Sequence, residues 1–496
     1  MDEENELISQ RIQKLNTLRQ SGVNPYPYSF DQKNHAKDIL EKFKKIKREE
    51  HTKEKVKIAG RIISLRIMGK ASFANVLDQS GKIQIYVKEE SLGKDRYKLF
   101  SKFDLGDIIG VEGTVFRTKT GEISIWAKKV ELLSKSIRPL PAKWHGLKDV
   151  EVRYRKRHLD LISNLEVREI FLKRTQIIKL VREFLDGRNF LEVETPLLQP
   201  IYGGAAAKPF KTYVNHLKMD AYLSISPELY LKRLTVGGFE KVYTICKNFR
   251  NEGIDSSHNP EFTMMECYWA YVDYNEMMKL TEDLVSYIAK KVNGTTKIKF
   301  QEETIDLKKP WKRMTMREAL KKYGDIDVEK MSDSELRNKI NELKLKDVKQ
   351  ERGFMIQAIF EELVEDKLVQ PTFITEYPAS VCPLTKEHRK NSFWVERFET
   401  FVCGVELANA YSELNDPLEQ EKRFKEQLKQ KQGNEDQHLM VHKIDHDFLE
   451  ALSIGMPPLG GVGIGIDRLV MLLTGQDSIK EVIFFQIGRA SCRERV

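Results

Sequence analysis

"FRNEGIDSSHNPEFTMMECYWAY" (residues 249–271) gathers Arg250, Glu252, His258, Glu261, Phe262 and Glu266 into one short window. Within it, "GIDSSHNP" (253–260) reads as a turn between two β-type runs. Such a hairpin collects a guanidinium, an imidazole, an aromatic ring and several carboxylates. Nucleoside triphosphates call for that set: cations for phosphate oxygens, a flat ring for the base, carboxylates for magnesium. Arg250 and His258 are the phosphate candidates. Phe262 is placed to stack on a purine, with Arg250 on the opposite side of the same nucleotide. An Arg250–Glu252 ion pair with Phe262 in the core accounts for any two of these residues, but not for all of them.

Two further clusters fit that chemistry. "GGVGIGIDRLVML" (460–472) lacks the G-x-G-x-x-G spacing and is followed by no βαβ unit, which disfavours a dinucleotide fold. Its Gly461, Gly463 and Gly465 allow close backbone approach, and Asp467 and Arg468 open a helix from which Arg468 reaches a terminal phosphate. No G-x-x-x-x-G-K-S/T run occurs, so this is not a P-loop protein. In "RFETFVCGVELANAYSELND" (397–416), a turn at Gly404 between antiparallel strands lets Glu399 and Glu406 face one Mg²⁺–phosphate. Glu406, Asn409, Tyr411 and Glu413 form a dense polar set in a run that otherwise reads as buried strand; the plainer alternative is a solvent-facing edge.

Outward from these clusters, the 496 residues exceed one ordinary core and predict two or more domains. A hydrophobic content of 41% with 32% charged residues fits a soluble globular protein, and a net charge of +9 leans toward a polyanionic partner. Cys246, Cys267, Cys382, Cys403 and Cys492 show no C-x-x-C spacing, which argues against zinc or a disulfide framework and for a reducing cytoplasm. The acidic start "MDEENELISQ" is no signal peptide, and no apolar run is long enough to span a membrane.

Residues 1–55 read as an N-terminal helical region. An amphipathic helix covers Glu3 to about Arg19, with Leu7, Ile8, Ile12, Leu15 and Leu18 near helical spacing, and a very basic one runs through "AKDILEKFKKIKREE" (36–50). Residues 56–135 hold five short β-type runs with Gly-marked turns. They suit an OB-fold barrel, which binds single-stranded nucleic acid, with exposed Phe73 and basic Arg61 and Arg66. An SH3-like barrel with Phe73 in its core is the alternative. A linker (136–150) follows, and then an α+β region (151–485). There "REIFLKRTQIIKLVREFLDGRNF" (168–190) is a helix ending near Gly187, and "FLEVETPLL" (190–198) a strand stopping at Pro196. Residues 295–367 are rich in lysine and glutamate and read as helical. "KMSDS" (330–334) imitates the class I synthetase KMSKS loop, but Ser332 and Glu335 have capping-box spacing.

With these clusters in place, the chain resembles the class II lysyl-tRNA synthetases from about Glu54 to Phe485. "FLEVETPLL", "FRNEG…HNPEFT" and "GVGIGIDRLVML" look like the three class II motifs. "GKASFANVLD" (69–78), "RPLPAKWHGLKDVEVRYRKRHLDLI" (138–162), "SPELYLKRLTVGGFEKVY" (226–243) and "SELNDP" (412–417) look like the lysyl branch. The resemblance implies an OB barrel followed by an antiparallel sheet flanked by helices, a cytoplasmic homodimer, and ATP, L-lysine and tRNA(Lys) as substrates, with Mg²⁺ and no membrane or DNA partner. It places Arg250 on the α-phosphate and the lysine carboxylate, Glu252 and Phe262 on adenine, His258 and Arg468 on the outer phosphates, and Glu399 and Glu406 on Mg²⁺. It places the amino acid among Glu228, Arg250, Glu266, Tyr268, Asn409, Tyr411 and Glu413, whose carboxylates suit a substrate with two ammonium groups. The related aspartyl and asparaginyl enzymes need a cationic or neutral group where Glu413 stands. In the barrel, Phe73, Gln84 and Glu122 match the family's anticodon readers.

The chain departs from the family at Lys208 in "AKPF" and at "TYVNH" (212–216), within a loop expected to close over substrate. Its end, "IGRASCRERV" (487–496), back-translates to a run resembling a sequencing-library adapter. These residues and Gln486 are therefore read as non-native, against the alternative of a lineage-specific tail. The same tail encoded in intact genomic DNA would overturn that reading.

Overall fold

A computed structural model describes residues 2–141, 147, 149–430 and 443–487. The linker tryptophan and most of the C-terminal run 487–496, including Cys492, lie outside the described residues. The chain divides into two compact units, residues 1–148 and 149–496.

In the first unit, β1 (His51–Met68), β2 (Ala71–Leu77), β3 (Lys82–Lys88), β4 (Ile108–Arg117) and β5 (Ile123–Ser134) close a barrel in the order β1-β2-β3-β5-β4. The β3–β5 pair is parallel and the other pairs are antiparallel. This is the expected OB-fold, and the SH3-like alternative falls. The long β1 serves two neighbours, pairing with β4 through its first half and β2 through its second. Where it turns between them, a Cβ on Gly60 would meet the Leu77 carbonyl oxygen at 2.6 Å, so only glycine fits. Alternation buries Ile83, Ile85 and Val87 and leaves Gln84 and Tyr86 on the outer face.

Helices α1 (Asp2–Gln20) and α2 (Ala36–Lys42) belong to this unit. Leu15 and Leu18 of α1 are buried, as their spacing predicts, whereas Leu7 and Ile12 are exposed. The basic helix expected over residues 36–50 ends at Lys42. Ile39 and Phe43 sink into the barrel's apolar cluster, and the Ile46 carbonyl accepts from Arg117 Nη1 at 2.8 Å. Those anchors hold the lysine-rich run in turns despite its helix propensity.

The second unit is built on an eight-stranded sheet. Its strands are β6 (Leu191–Glu192), β7 (Lys241–Phe249), β8 (Glu261–Ala270), β9 (Lys312–Thr315), β10 (Thr372–Pro378), β11 (Trp394–Val402), β12 (Val405–Ser412) and β13 (Leu459–Gly465), in the order β9-β10-β11-β12-β13-β8-β7-β6. All pairings are antiparallel except the outermost, β9–β10 and β7–β6. Helices α3 (Leu165–Asp186), α5 (Tyr274–Asn293) and α6 (Ile466–Thr474) share one apolar cluster with Met265, Cys267, Phe398, Ala410 and Ile464 of the sheet. Helix α4 (Glu228–Val236) packs through Leu229 and Leu231 into a different cluster with Val242 and Tyr268. The period of two along β8 therefore sends Met265 and Cys267 into the main core and Glu266 and Tyr268 the other way.

Two expectations are corrected here. "FLEVETPLL" is not one strand: β6 covers two residues, and past Pro196 the chain joins a separate sheet through Leu198–Gln199, paired with Met219–Leu223. Pro196 lacks the N–H that a continuing ladder needs. Residues 295–367 are only partly helical. They include the hairpin Lys297–Phe300 with Glu303–Asp306, strand β9, and three helices with an apolar cluster of their own around Met355, Ile359 and Phe360. Ser332 and Glu335 form the predicted capping box at the start of Asp333–Glu342, so the class I likeness is a helix cap.

Candidate active site

One cavity of about 340 Å³ lies against the sheet of the second unit. Glu228, Arg250, Glu252, His258, Phe262, Glu266, Tyr268, Glu399, Glu406, Asn409, Tyr411, Glu413 and Arg468 all line it. Four strands supply its floor, and strand alternation explains the set: Phe262, Glu266 and Tyr268 recur every second residue or its multiple on β8, and Gly461, Gly463 and Gly465 do so on β13.

The β7–β8 hairpin has Phe249 opposite Glu261 and Asn248 opposite Phe262. This register places the Arg250 guanidinium 5.0 Å from the Phe262 ring centroid. The two therefore stack on each other, with no room for a base between them, and the expectation that they flank a nucleotide is corrected. Arg250 is half-buried, and its Nε is enclosed without a hydrogen-bond partner. At the hairpin's tip, His258 Nδ1 lies 2.8 Å from Asp255 Oδ2, and His258 Nε2 lies 3.3 Å from Arg468 Nη2. Burial works against the Asp255 carboxylate, but hydrogen bonds from His258 and the backbone bring it down to about 2. The loop carrying Lys208 is tied to the hairpin, since its carbonyl accepts from Asn251 N at 2.7 Å.

Deeper in the cavity stand three buried carboxylates, Glu228, Glu266 and Glu413. Glu266 accepts from Ser226 Oγ at 2.9 Å and from Tyr268 Oη at 3.2 Å. Burial, with Glu228 nearby, pushes Glu266 up to about 8. Burial also raises Glu413, against the pull of the Lys232 ammonium 2.5 Å from its Oε2. Oε2 of Glu413 is held by that ammonium, whereas its buried Oε1 has no hydrogen-bond partner. An enclosed acceptor without a donor marks a place built for a ligand carrying N–H groups. Gly461 forms the wall here: a Cβ would lie 2.2 Å from Glu413 Oε1 and 2.5 Å from Tyr268 Cε1. Gly461→Ala is expected to raise the KM for the bound amine about a hundredfold and to lower the melting temperature by several degrees, since the added methyl must displace the buried Glu413 and Tyr268 side chains. An unchanged KM would remove this wall from the binding site.

Glu399 and Glu406 arrive on β11 and β12, joined at Cys403–Gly404 as the spacing predicts. The pairing slips so that Leu407 is an extra residue, and this bulge turns Glu406 to the cavity side with Asn409 and Tyr411. Tyr377 Oη donates to Glu399 at 2.8 Å, Arg397 forms an ion pair with it, and burial raises its pKa. Burial also works to raise Glu406, but the Arg468, Arg397 and Arg250 guanidiniums bring it below its ordinary value. Arg468 Nη1 donates to the Glu406 carbonyl at 2.7 Å and to its Oε2 at 3.1 Å. Asp467 fixes the start of α6, accepting from Arg174 Nη1 and from Thr263 N, each at 2.6 Å. Among the described residues no three His, Cys, Asp or Glu side chains are grouped to hold a metal alone. Two carboxylates are a hard oxygen pair that leaves other positions for phosphate and water, which fits Mg²⁺.

Two lining residues escaped the sequence reading, Ser226 and Arg397, with Lys232 just behind the wall; Asp467, expected only to open a helix, also lines the cavity. Arg397 had a signal, since it precedes Glu399 by two residues on one strand and so shares its face.

In the barrel unit, Phe73 and Gln84 are half-buried and Glu122 is exposed, so Phe73 is neither in the core nor fully free. The Phe73 ring packs 4.6 Å from Tyr86. Gln84 Nε2 donates to Glu122 Oε2 at 3.1 Å, and Gln84 Oε1 accepts from Ser124 Oγ at 2.9 Å. A ring and two paired polar groups on the outer face of β2, β3 and the entry to β5 suit stacking and edge recognition of unpaired bases.

A closed five-stranded barrel in one unit, and in the other a mostly antiparallel sheet with a hairpin arginine and a helix-start arginine at its cavity, is the arrangement that the class II resemblance implies. The chain belongs to the tRNA synthetases class II (D, K and N), whose profile matches residues 149–488, and the OB-fold nucleic acid binding domain matches residues 56–133. Within that class it is similar to the lysine–tRNA ligase of Carboxydothermus hydrogenoformans, 53% identical over 98% of both chains. It is also similar to those of Thermoanaerobacter sp. (strain X514), 52% identical over 98% of this chain and 96% of the relative, and of Clostridium novyi, 50% identical over 97% and 94%.

Proposed function

We propose that the protein activates L-lysine with ATP and transfers it to the 3′ end of tRNA(Lys). The observation that carries this reading is the trio Glu228, Glu266 and Glu413 buried in one cavity with Arg250. Three carboxylates favour a dication, and an aspartate side chain would be repelled there. The lysine carboxylate is itself the nucleophile: its oxygen bonds to the α-phosphorus of ATP, pyrophosphate leaves, and lysyl-adenylate results. The terminal tRNA hydroxyl then attacks the lysyl carbonyl, loses its proton, and AMP leaves.

In this reading Arg250 bridges the lysine carboxylate and the α-phosphate, removing their mutual repulsion and stabilising charge at the reacting phosphorus. His258 and Arg468 take the outer phosphates, and Glu252 and Phe262 the adenine, on the Phe262 face away from Arg250. Glu266 and Glu413 hold the two ammonium groups with Glu228, Tyr268, Asn409 and Tyr411 around them. Glu399 and Glu406 would hold Mg²⁺, which supplies positive charge to the triphosphate when bound. Residues 56–135 act as the anticodon-binding domain, residues 151–485 as the catalytic domain, and 486–496 as a non-native tail.

A homodimer completes the proposal. The short edge strand β6 has no second neighbour among the described residues, and its Leu191 and the nearby Leu197 and Leu198 are exposed. The reducing cytoplasm suits the described cysteines, all free thiols, and no helix among the described residues is long and apolar enough to cross a membrane.

The test is aminoacylation with lysine, ATP and a total tRNA preparation: lysyl-tRNA is the expected product, and its absence from a folded protein would refute the reading. Phe73→Ala is expected to lower kcat/KM for tRNA by about tenfold to a hundredfold, the worth of one base–ring stack, with adenylate synthesis unchanged. Equal loss in both assays would remove Phe73 from anticodon reading.

A further inference from the structure

Lys232 lies one helical turn past Glu228 on α4, and it is fully buried. Its Nζ stands 2.6 Å from Glu228 Oε1 and 2.5 Å from Glu413 Oε2, two carboxylates from different elements that both line the cavity. Lys232 itself does not line the cavity, so it stands behind the substrate contacts rather than among them. A buried ammonium is tolerated only where anions compensate it, and here both compensating groups belong to the amino acid site.

The charges then balance in a particular way. Glu228, Glu266 and Glu413 carry three negative charges when ionised, Lys232 cancels one, and two remain for the two ammonium groups of lysine. Arg250 is left for the substrate's carboxylate. We propose that Lys232 is a positioning and specificity-determining residue that sets the anionic charge of the cavity to match a dication and holds Glu228 and Glu413 in register. This rests on lysine being the substrate. Without Lys232, three carboxylates face each other across a small space, the free protein takes up a further proton there, and lysine must displace that one as well to bind.

Lysine-dependent ATP–pyrophosphate exchange by the parent protein tests the substrate reading alone. The inference is read from variants relative to that parent. Lys232→Met is expected to raise the lysine KM by roughly tenfold or more with a smaller change in kcat. Adding Glu228→Gln restores the balance of two anions for two ammonium groups, so E228Q/K232M is expected to bind lysine better than either single variant. A space-filling role for Lys232 predicts no such rescue. If K232M does not fold, the comparison is E228Q against E228Q/K232M, and the second substitution is expected to lower the KM that the first one raised. A lysine KM in folded K232M within about twofold of the parent would overturn the proposal. So would a double variant no better than the singles, or one that does not fold, since that would make Lys232 a fold-holding group.

Discussion

Arg250→Ala is expected to reduce lysine-dependent ATP–pyrophosphate exchange by about a thousandfold, on the order of 4 kcal/mol of transition-state stabilisation, while tRNA binding stays nearly parental. The reason is local. Arg250 stacks on Phe262, its Nε has no hydrogen-bond partner, and the acidic side chains Glu252, Glu266 and Glu406 are near enough to act on its charge. Little of the fold hangs on that side chain, so its removal acts on two anions that must approach each other. Parallel titration of tRNA and measurement of exchange separate the roles. Equal loss in both would assign Arg250 to folding or to tRNA instead.

The second large effect is in pH. Burial, with Glu228 nearby, lifts Glu266 to about 8, so in the free protein at neutral pH this carboxyl is mostly protonated. A neutral acid does not hold an ammonium group as an anion does. The ionised fraction rises with pH, so the lysine KM is expected to fall by up to about tenfold per unit between about pH 6 and pH 8, then level off. Lysine binding near pH 7 should release a proton, measurable as a dependence of the binding heat on buffer ionisation. Glu266→Gln is expected to make the pH profile shallower, leaving the contribution of Glu413, which burial also raises, and to raise KM throughout. A parental KM that is flat or rises over that range would contradict the assignment.

Much of this was legible because it depends on local pattern. The barrel shows in short strands with Gly-marked turns, and the thirteen cavity residues carry chemistry unusual for buried strands, such as Asn409, Tyr411 and Glu413 recurring on one face of "ELANAYSEL". What was not legible depends on register and tertiary anchoring. The stacking of Arg250 on Phe262 follows from the pairing of Asn248 with Phe262, and composition does not fix which residues of a hairpin stand opposite each other. The placement of Glu406 needs the extra residue Leu407, an irregularity with no sequence signature. The early end of α2 follows from Ile39, Phe43 and Ile46 docking on the barrel, which overrides the helix propensity of the lysine-rich run. Lys232 and Arg397 lay in plain view at i+4 from Glu228 and two residues before Glu399. Sequence position alone does not distinguish either from an ordinary surface charge, and both are buried.

A buried, net-anionic cavity chooses a substrate with two ammonium groups. The most direct measurement of that choice is ATP–pyrophosphate exchange with each amino acid in turn, without tRNA. Exchange is expected with L-lysine, dependent on Mg²⁺, and none above background with aspartate or asparagine. Exchange driven by either of those two, with lysine inert, would contradict it.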